Sequence, residues 1–140
     1  MIKNFIFISL LIALSGCELI TIGVQKKEKP IVISINQKSP EGVLLVLKTE
    51  LDSNNIWGAA QVIAKQGGEK YSAEEKFNKH YDIYRIKRIF GNYPFNIIKS
   101  DTINTNTRNL QFEINYYKKY SMKAEKINDI WYIVDLGLEN

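Results

Sequence analysis

Asn109-Leu110-Gln111-Phe112-Glu113-Ile114-Asn115-Tyr116 alternates polar and apolar residues without a break. A period of two sends Leu110, Phe112, Ile114 and Tyr116 to one face and their polar neighbours to the other, which predicts a half-buried antiparallel strand. Downstream, residues 120–127 and 130–136 read as two more strands, with Asn128-Asp129 as the hairpin turn between them. Upstream, residues 95–102 read as a strand and residues 103–109 as a polar turn. About four strands therefore follow Pro94.

Before Pro94 the spacing is helical. Ser39-Pro40-Glu41 offers a capping hydroxyl, a proline suited to the first helical position and an early carboxylate that favours the helix dipole. Val43, Leu44, Leu47 and Leu51 then recur on one face. Asp52-Ser53-Asn54 breaks this helix and precedes a second, in which Ile56, Ala60 and Ile63 share a face beside Trp57 until Gly67-Gly68 stops it. Ser72-Ala73-Glu74-Glu75 fits a capping box, so a third helix is predicted to begin there and to end at Gly91-Asn92-Tyr93-Pro94. Phe77, Tyr81 and Tyr84 are spaced for one of its faces, and Ile83, Ile86 and Phe90 for another.

Three helices followed by about four strands imply an α+β domain, with the helices packed on a curved, roughly four-stranded antiparallel sheet. A chain of 140 residues has room for one such domain, and 45% hydrophobic with 24% charged residues is a globular composition. The single cysteine allows no internal disulfide, so stability must come from packing.

That cysteine has another use. Lys3 supplies a positive start, residues 5–14 supply an apolar run of export-signal length, and Leu14-Ser15-Gly16-Cys17 follows directly. These four residues resemble the lipobox of bacterial lipoproteins. The resemblance implies that diacylglycerol is attached to the Cys17 thiol and that the leader, residues 1–16, is removed before it. Glu18 argues against a membrane-spanning helix here, because a carboxylate inside the bilayer costs about 2.5–3.5 kcal/mol on insertion scales. The resemblance further implies a palmitate-type anchor in the cell envelope. Because Glu18 stands where aspartate is associated with inner-membrane retention, it implies the outer membrane, facing the periplasm, in a bacterium with two membranes. Removing the leader takes only Lys3 from 19 basic residues and nothing from 15 acidic ones, leaving a net charge of +3.

Residues 17–37 then read as the lipidated cysteine and a tether, with the charged run Gln25-Lys26-Lys27-Glu28-Lys29-Pro30 and a β-branched stretch at residues 31–35 that is left open as an edge strand. Residues 38–140 read as the single domain. Its opening Ser39-Pro40-Glu41 with Val43, Leu47 and Leu51, the segment from Asn54 to Ala64, and the closing Lys126-Ile127-Asn128-Asp129-Ile130-Trp131-Tyr132-Ile133-Val134-Asp135 resemble small lipoproteins of the nuclear-transport-factor-2-like (cystatin-like) superfamily. The resemblance implies a cone in which a sheet wraps around a long helix over an apolar cavity, with Trp131 filling the core. The cavity serves different ends in different members, so the fold alone does not choose a function.

Chemistry-bearing residues are sparse. His80 is the only histidine, and Asp82, two positions on, points elsewhere on a helix. One histidine with scattered carboxylates gives no metal-ligand spacing, and no phosphate-binding glycine loop or nucleophile elbow is present, so no metal or cofactor is expected. Trp57, Tyr81, Tyr84, Tyr116, Tyr120 and Trp131, with Tyr117, are candidate pocket walls; the alternative is that they belong to the core. Arg85-Lys87-Arg88 and Lys118-Lys119, with tyrosines nearby, are a candidate basic patch for an anionic lipid or envelope glycan, the alternative being a solvated face. Export argues against nucleic acid.

The sequence thus predicts an envelope lipoprotein, held on the membrane through Cys17, whose domain binds a small ligand or an envelope protein without catalysis. A homodimer is compatible with it. The alternatives are a small isomerase or dehydratase with an apolar pocket, using Asp135 or His80 as base, and a structural or assembly role through the sheet face.

Overall fold

Residues 33–138 are described by the computed structural model. The expected export signal, Cys17 and the expected tether up to residue 32 lie outside the described residues. Of residues 31–35, left open as an edge strand, the described ones, 33–35, form none.

Helix α1 (Pro40–Asp52) starts as its sequence dictates: the Ser39 hydroxyl accepts the Gly42 N–H at 2.9 Å, with Pro40 in the first turn. Val43, Leu44, Leu47 and Leu51 form its buried stripe. Gly42 lies under the preceding chain, where a Cβ would run into the carbonyl oxygens of Asn36 and Ser34. Glycine in a helix ordinarily costs up to about 1 kcal/mol relative to alanine. Here the sign reverses: Gly42→Ala is expected to destabilise the domain by about 1–3 kcal/mol, as overpacking does, read as a lower midpoint in urea unfolding.

Helix α2 (Ile56–Gln61) is capped by Asn55, whose side-chain oxygen accepts the Gly58 N–H at 3.0 Å. It stops well short of Gly67-Gly68. The residues after it pair with a strand instead: Ile133 N–H donates to the Val62 carbonyl at 2.9 Å and Ala64 N–H to the Ile133 carbonyl at 2.9 Å. Ile63 is therefore not on the helix face that its spacing suggested.

The predicted third helix is two helices, α3 (Ala73–Asn78) and α4 (His80–Phe90), divided at Lys79. The capping box at Ser72 and Glu75 is present. The division follows from burial, since α3 buries no residue while α4 presses Ile83 and Phe90 into the core. The rival face points to solvent, with Phe77 67%, Tyr81 83% and Tyr84 46% exposed.

The strands are β1 (Phe95–Asn104), β2 (Thr107–Ile114), β3 (Lys118–Ile127) and β4 (Ile130–Leu138), antiparallel in the order β1-β2-β3-β4. The polar turn expected over residues 103–109 shrinks to Thr105-Asn106, because β1 pairs with β2 as far as Asn104 and Thr107. Register shifts in β1–β2 and β3–β4 mark bulges that bend the sheet. Across the inner face Leu110 opposes Met122, Phe112 opposes Tyr120, and Ala124 opposes Ile133, all buried. Phe112 is the hub, with ring centroids of Phe90, Phe95 and Tyr120 at 5.5, 5.5 and 5.8 Å. The described part is thus an α+β unit of four helices and one curved four-stranded sheet.

Candidate functional site

A groove runs between helix α4 and strands β2, β3 and β4. The apolar side of α4 sends Ile83 and Phe90 fully into the core, while Ile86 and Ile89 are only partly covered. Their exposed flanks make one wall. At the C-terminal end of α4 a hollow of about 410 Å³ opens between Ile89 and the β2–β3 hairpin, with Ile114 and Tyr120 in its floor and Arg85, Arg88 and Lys118 around it. A second hollow of about 330 Å³ shares Arg85, Ile89 and Tyr120 with the first and continues past Ile86 to Leu136. A third, about 200 Å³, shares Asp82, Ile86 and Leu136 with the second and ends beside Tyr71 and Asp135. Shared walls make the three one groove, and its two larger hollows fall in the size range of small-molecule sites.

Two turns fix the wide end. Gly91 closes α4 at φ 44 and ψ −158, a conformation essentially reserved for glycine, and a Cβ there would come within 2.9 Å of the Tyr93 ring. That places Tyr93 on the groove wall. In the β2–β3 turn, Asn115 and Tyr116 both take left-handed backbone, φ 55 and 64. For an aromatic residue this is strained, a cost of about 1–3 kcal/mol that surrounding contacts must hold in place. One such contact is the Asn115 N–H donating to the Pro94 carbonyl at 2.8 Å, which ties the two turns together.

The narrow end is polar in another way. Asp82 pairs with Lys79 at 2.9 Å, and this hydrogen bond holds the Lys79 ammonium above its ordinary range. Nearby, Lys65 reaches Glu75 at 2.7 Å. That contact, helped by the Ser72 N–H, pulls the Glu75 carboxyl down to about 2 from 4.5. A carboxyl whose pKa is lowered by folding adds stability that is complete above the unfolded value and is lost as pH falls through the folded one. The thermal midpoint is therefore expected to fall between pH 4.5 and 2, and Glu75→Gln to flatten that part of the curve while leaving its shape above pH 6 unchanged.

No protein-family model matches this chain, and no curated protein matches it.

Of the seven aromatic residues expected to wall a pocket, the groove takes two, Tyr117 and Tyr120, the latter 5% exposed. Trp131 is core, 6% exposed, with the Arg108 guanidinium 5.9 Å from its ring. Trp57 and Tyr84 face His80, at centroid distances of 6.2 and 5.7 Å, and Phe77 adds a third ring at 6.0 Å. Tyr81 stands free on α4, and Tyr116 stands 75% exposed in its strained turn instead of continuing the strand. His80 lies in the aromatic cluster, where its buried Nδ1 has no hydrogen-bond partner among the described residues. Asp135 lies on the narrow end of the groove, where His80 contributes no wall.

The residues that do shape the groove include Arg85, Arg88 and Lys118, whose clustering in the sequence was visible as a basic patch. Ile89 and Tyr93 gave no such signal, because a partly covered aliphatic on a helix and a tyrosine in a turn look like core and loop. Among the described residues no group of His, Cys, Asp and Glu is placed to hold a metal ion, and no helix is long and apolar enough to cross a membrane.

Proposed function

We propose that this protein is a lipoprotein of the bacterial envelope, anchored through Cys17, whose cone-like domain holds a small ligand in the groove beneath α4 without chemically changing it. The proposed relationship is to the nuclear-transport-factor-2-like superfamily, with α3 and α4 together standing for its third helix. One observation carries the binding role: a continuous groove with an apolar floor, its wide end fixed by a glycine and a strained hairpin turn. Strain kept at the mouth of a groove favours a function there over a merely solvated surface.

The isomerase or dehydratase alternative needs an acid, a base and a donor around one apolar space. His80 among Trp57, Phe77 and Tyr84, with Asp135 on the groove, weakens it. Assembly through the sheet face needs an apolar patch, whereas the strands there carry the pairs Lys99–Asp101 and Lys123–Glu125.

The test is a photoreactive phenylalanine analogue in place of Ile89, irradiated in living cells. The expected result is one discrete adduct from Ile89 and none from the exposed Phe77. No adduct from Ile89, or the same adducts from both positions, would overturn the binding role.

A further inference from the structure

The two ends of the groove differ in charge. Arg85, Arg88 and Lys118 surround the wide end, whose described walls include no carboxylate, whereas Asp82 lines the second and third hollows and Asp135 the narrow end. The ion pairs of the described residues are all made by other lysines, so none of these three cations has an acidic partner there. Lys87, between the two arginines in sequence, is turned the other way and bonds to the Asn54 side chain.

Residues three apart on a helix are surface neighbours, so Arg85 and Arg88 present two guanidiniums on the same side of α4. Planar guanidiniums match carboxylate and phosphate oxygens in pairs. Lys118 comes from the opposite wall, carried there by the strained turn at Asn115 and Tyr116, and its ammonium rests 5.6 Å from the Tyr117 ring. Three like charges converging on one hollow repel each other unless an anion sits between them. The floor below is not polar. Ile89, Ile114 and Tyr120 line it, and the groove continues past Ile86 to Leu136. An inorganic ion would leave that apolar length uncovered.

We infer that the wide end of the groove receives the acidic head, carboxylate or phosphate, of an amphipathic molecule whose apolar chain lies along Ile89, Tyr120 and Leu136. This rests on the proposed binding role of the groove and adds to it the class of ligand. The head is held by Arg85, Arg88 and Lys118, and the chain by burial, so neither half alone accounts for binding. Acidic amphiphiles reach an envelope protein either free or from the anionic lipids of the membrane itself.

The experiment uses the full chain in nanodiscs of neutral phosphatidylcholine, with dansyl-labelled undecanoic acid as the probe and its uncharged methyl ester as the control. Tryptophan-sensitised dansyl emission, corrected with discs lacking protein, reads binding. Saturable binding of the acid is expected, weakened about tenfold in Arg85→Gln/Arg88→Gln, with the ester about tenfold weaker and indifferent to the double substitution. Both arginines are exposed, and an unchanged thermal midpoint checks that the double variant folds. Equal binding of acid and ester, unchanged in the double variant, would overturn the inference and leave the groove's binding role standing. Binding of neither would overturn both. Where the acid binds as expected, its displacement by anionic phospholipid in the disc assigns the head to a membrane lipid, and displacement only by added decanoate assigns it to a free amphiphile.

Discussion

Replacing Phe112 with alanine is expected to lower the stability of the domain by about 3–5 kcal/mol, the cost of truncating a large aromatic side chain in a closed core. Phe112 is fully buried and touches rings from α4, β1 and β3, namely Phe90, Phe95 and Tyr120. No single element can move in to fill the space without breaking another contact. Domains of this size are stable by only about 5–15 kcal/mol, so the substitution removes a large part of the total. Urea unfolding followed by far-ultraviolet circular dichroism measures it. Phe77→Ala, at a site 67% exposed, is the control and is expected within about 0.5 kcal/mol of the parent. Similar losses at both positions would mean that Phe112 is not the hub of the core.

Cys17→Ser is expected to have the other large effect, on attachment. Each methylene of an acyl chain adds about 0.8 kcal/mol of membrane affinity, and two or three chains together anchor stably where one is marginal. The serine variant should incorporate no fatty-acid label and should keep its leader, so its mass should correspond to a chain beginning at Met1. Persistent labelling of that variant would remove the anchor from the proposed function while leaving the groove untouched.

Much of the fold could be read directly, because local signals and tertiary packing agree. The alternation around Phe112 became β2, the Ser39 and Ser72 caps start helices, and Asn128-Asp129 is a turn with both residues in left-handed backbone. Failures occurred where pairing or packing, not pattern, decides. Asn104 and Thr107 extend the first hairpin although the stretch is polar, since an exposed edge strand needs backbone partners and not apolar side chains. Ile63 looked helical, but the edge of β4 captured the chain on either side of it. On α4 the spacing offered two faces and could not rank them. Burial went to Ile83, Ile86 and Phe90, leaving Tyr81 and Tyr84 outside a site that their ring chemistry had suggested.

The groove was legible only in fragments. Arg85 and Arg88 belong to α4 and Lys118 to β3, and nothing local states that the two segments meet across a hollow. Their meeting depends on Gly91 and on the left-handed pair Asn115-Tyr116, where the sequence shows a glycine and a strand-like alternation that the backbone then breaks. Sites of this kind are where local rules are expected to fail, because a strained turn is retained for what it positions.

The most direct test of an anchored, non-catalytic binding protein is native mass spectrometry of the chain, released gently from bacterial membranes. The expected result is a chain that begins at Cys17 and carries two or three acyl groups, with a second, non-covalent mass that dissociates intact on activation. A chain that begins at Met1 without acyl groups and with no additional mass would contradict both the anchor and the occupied groove.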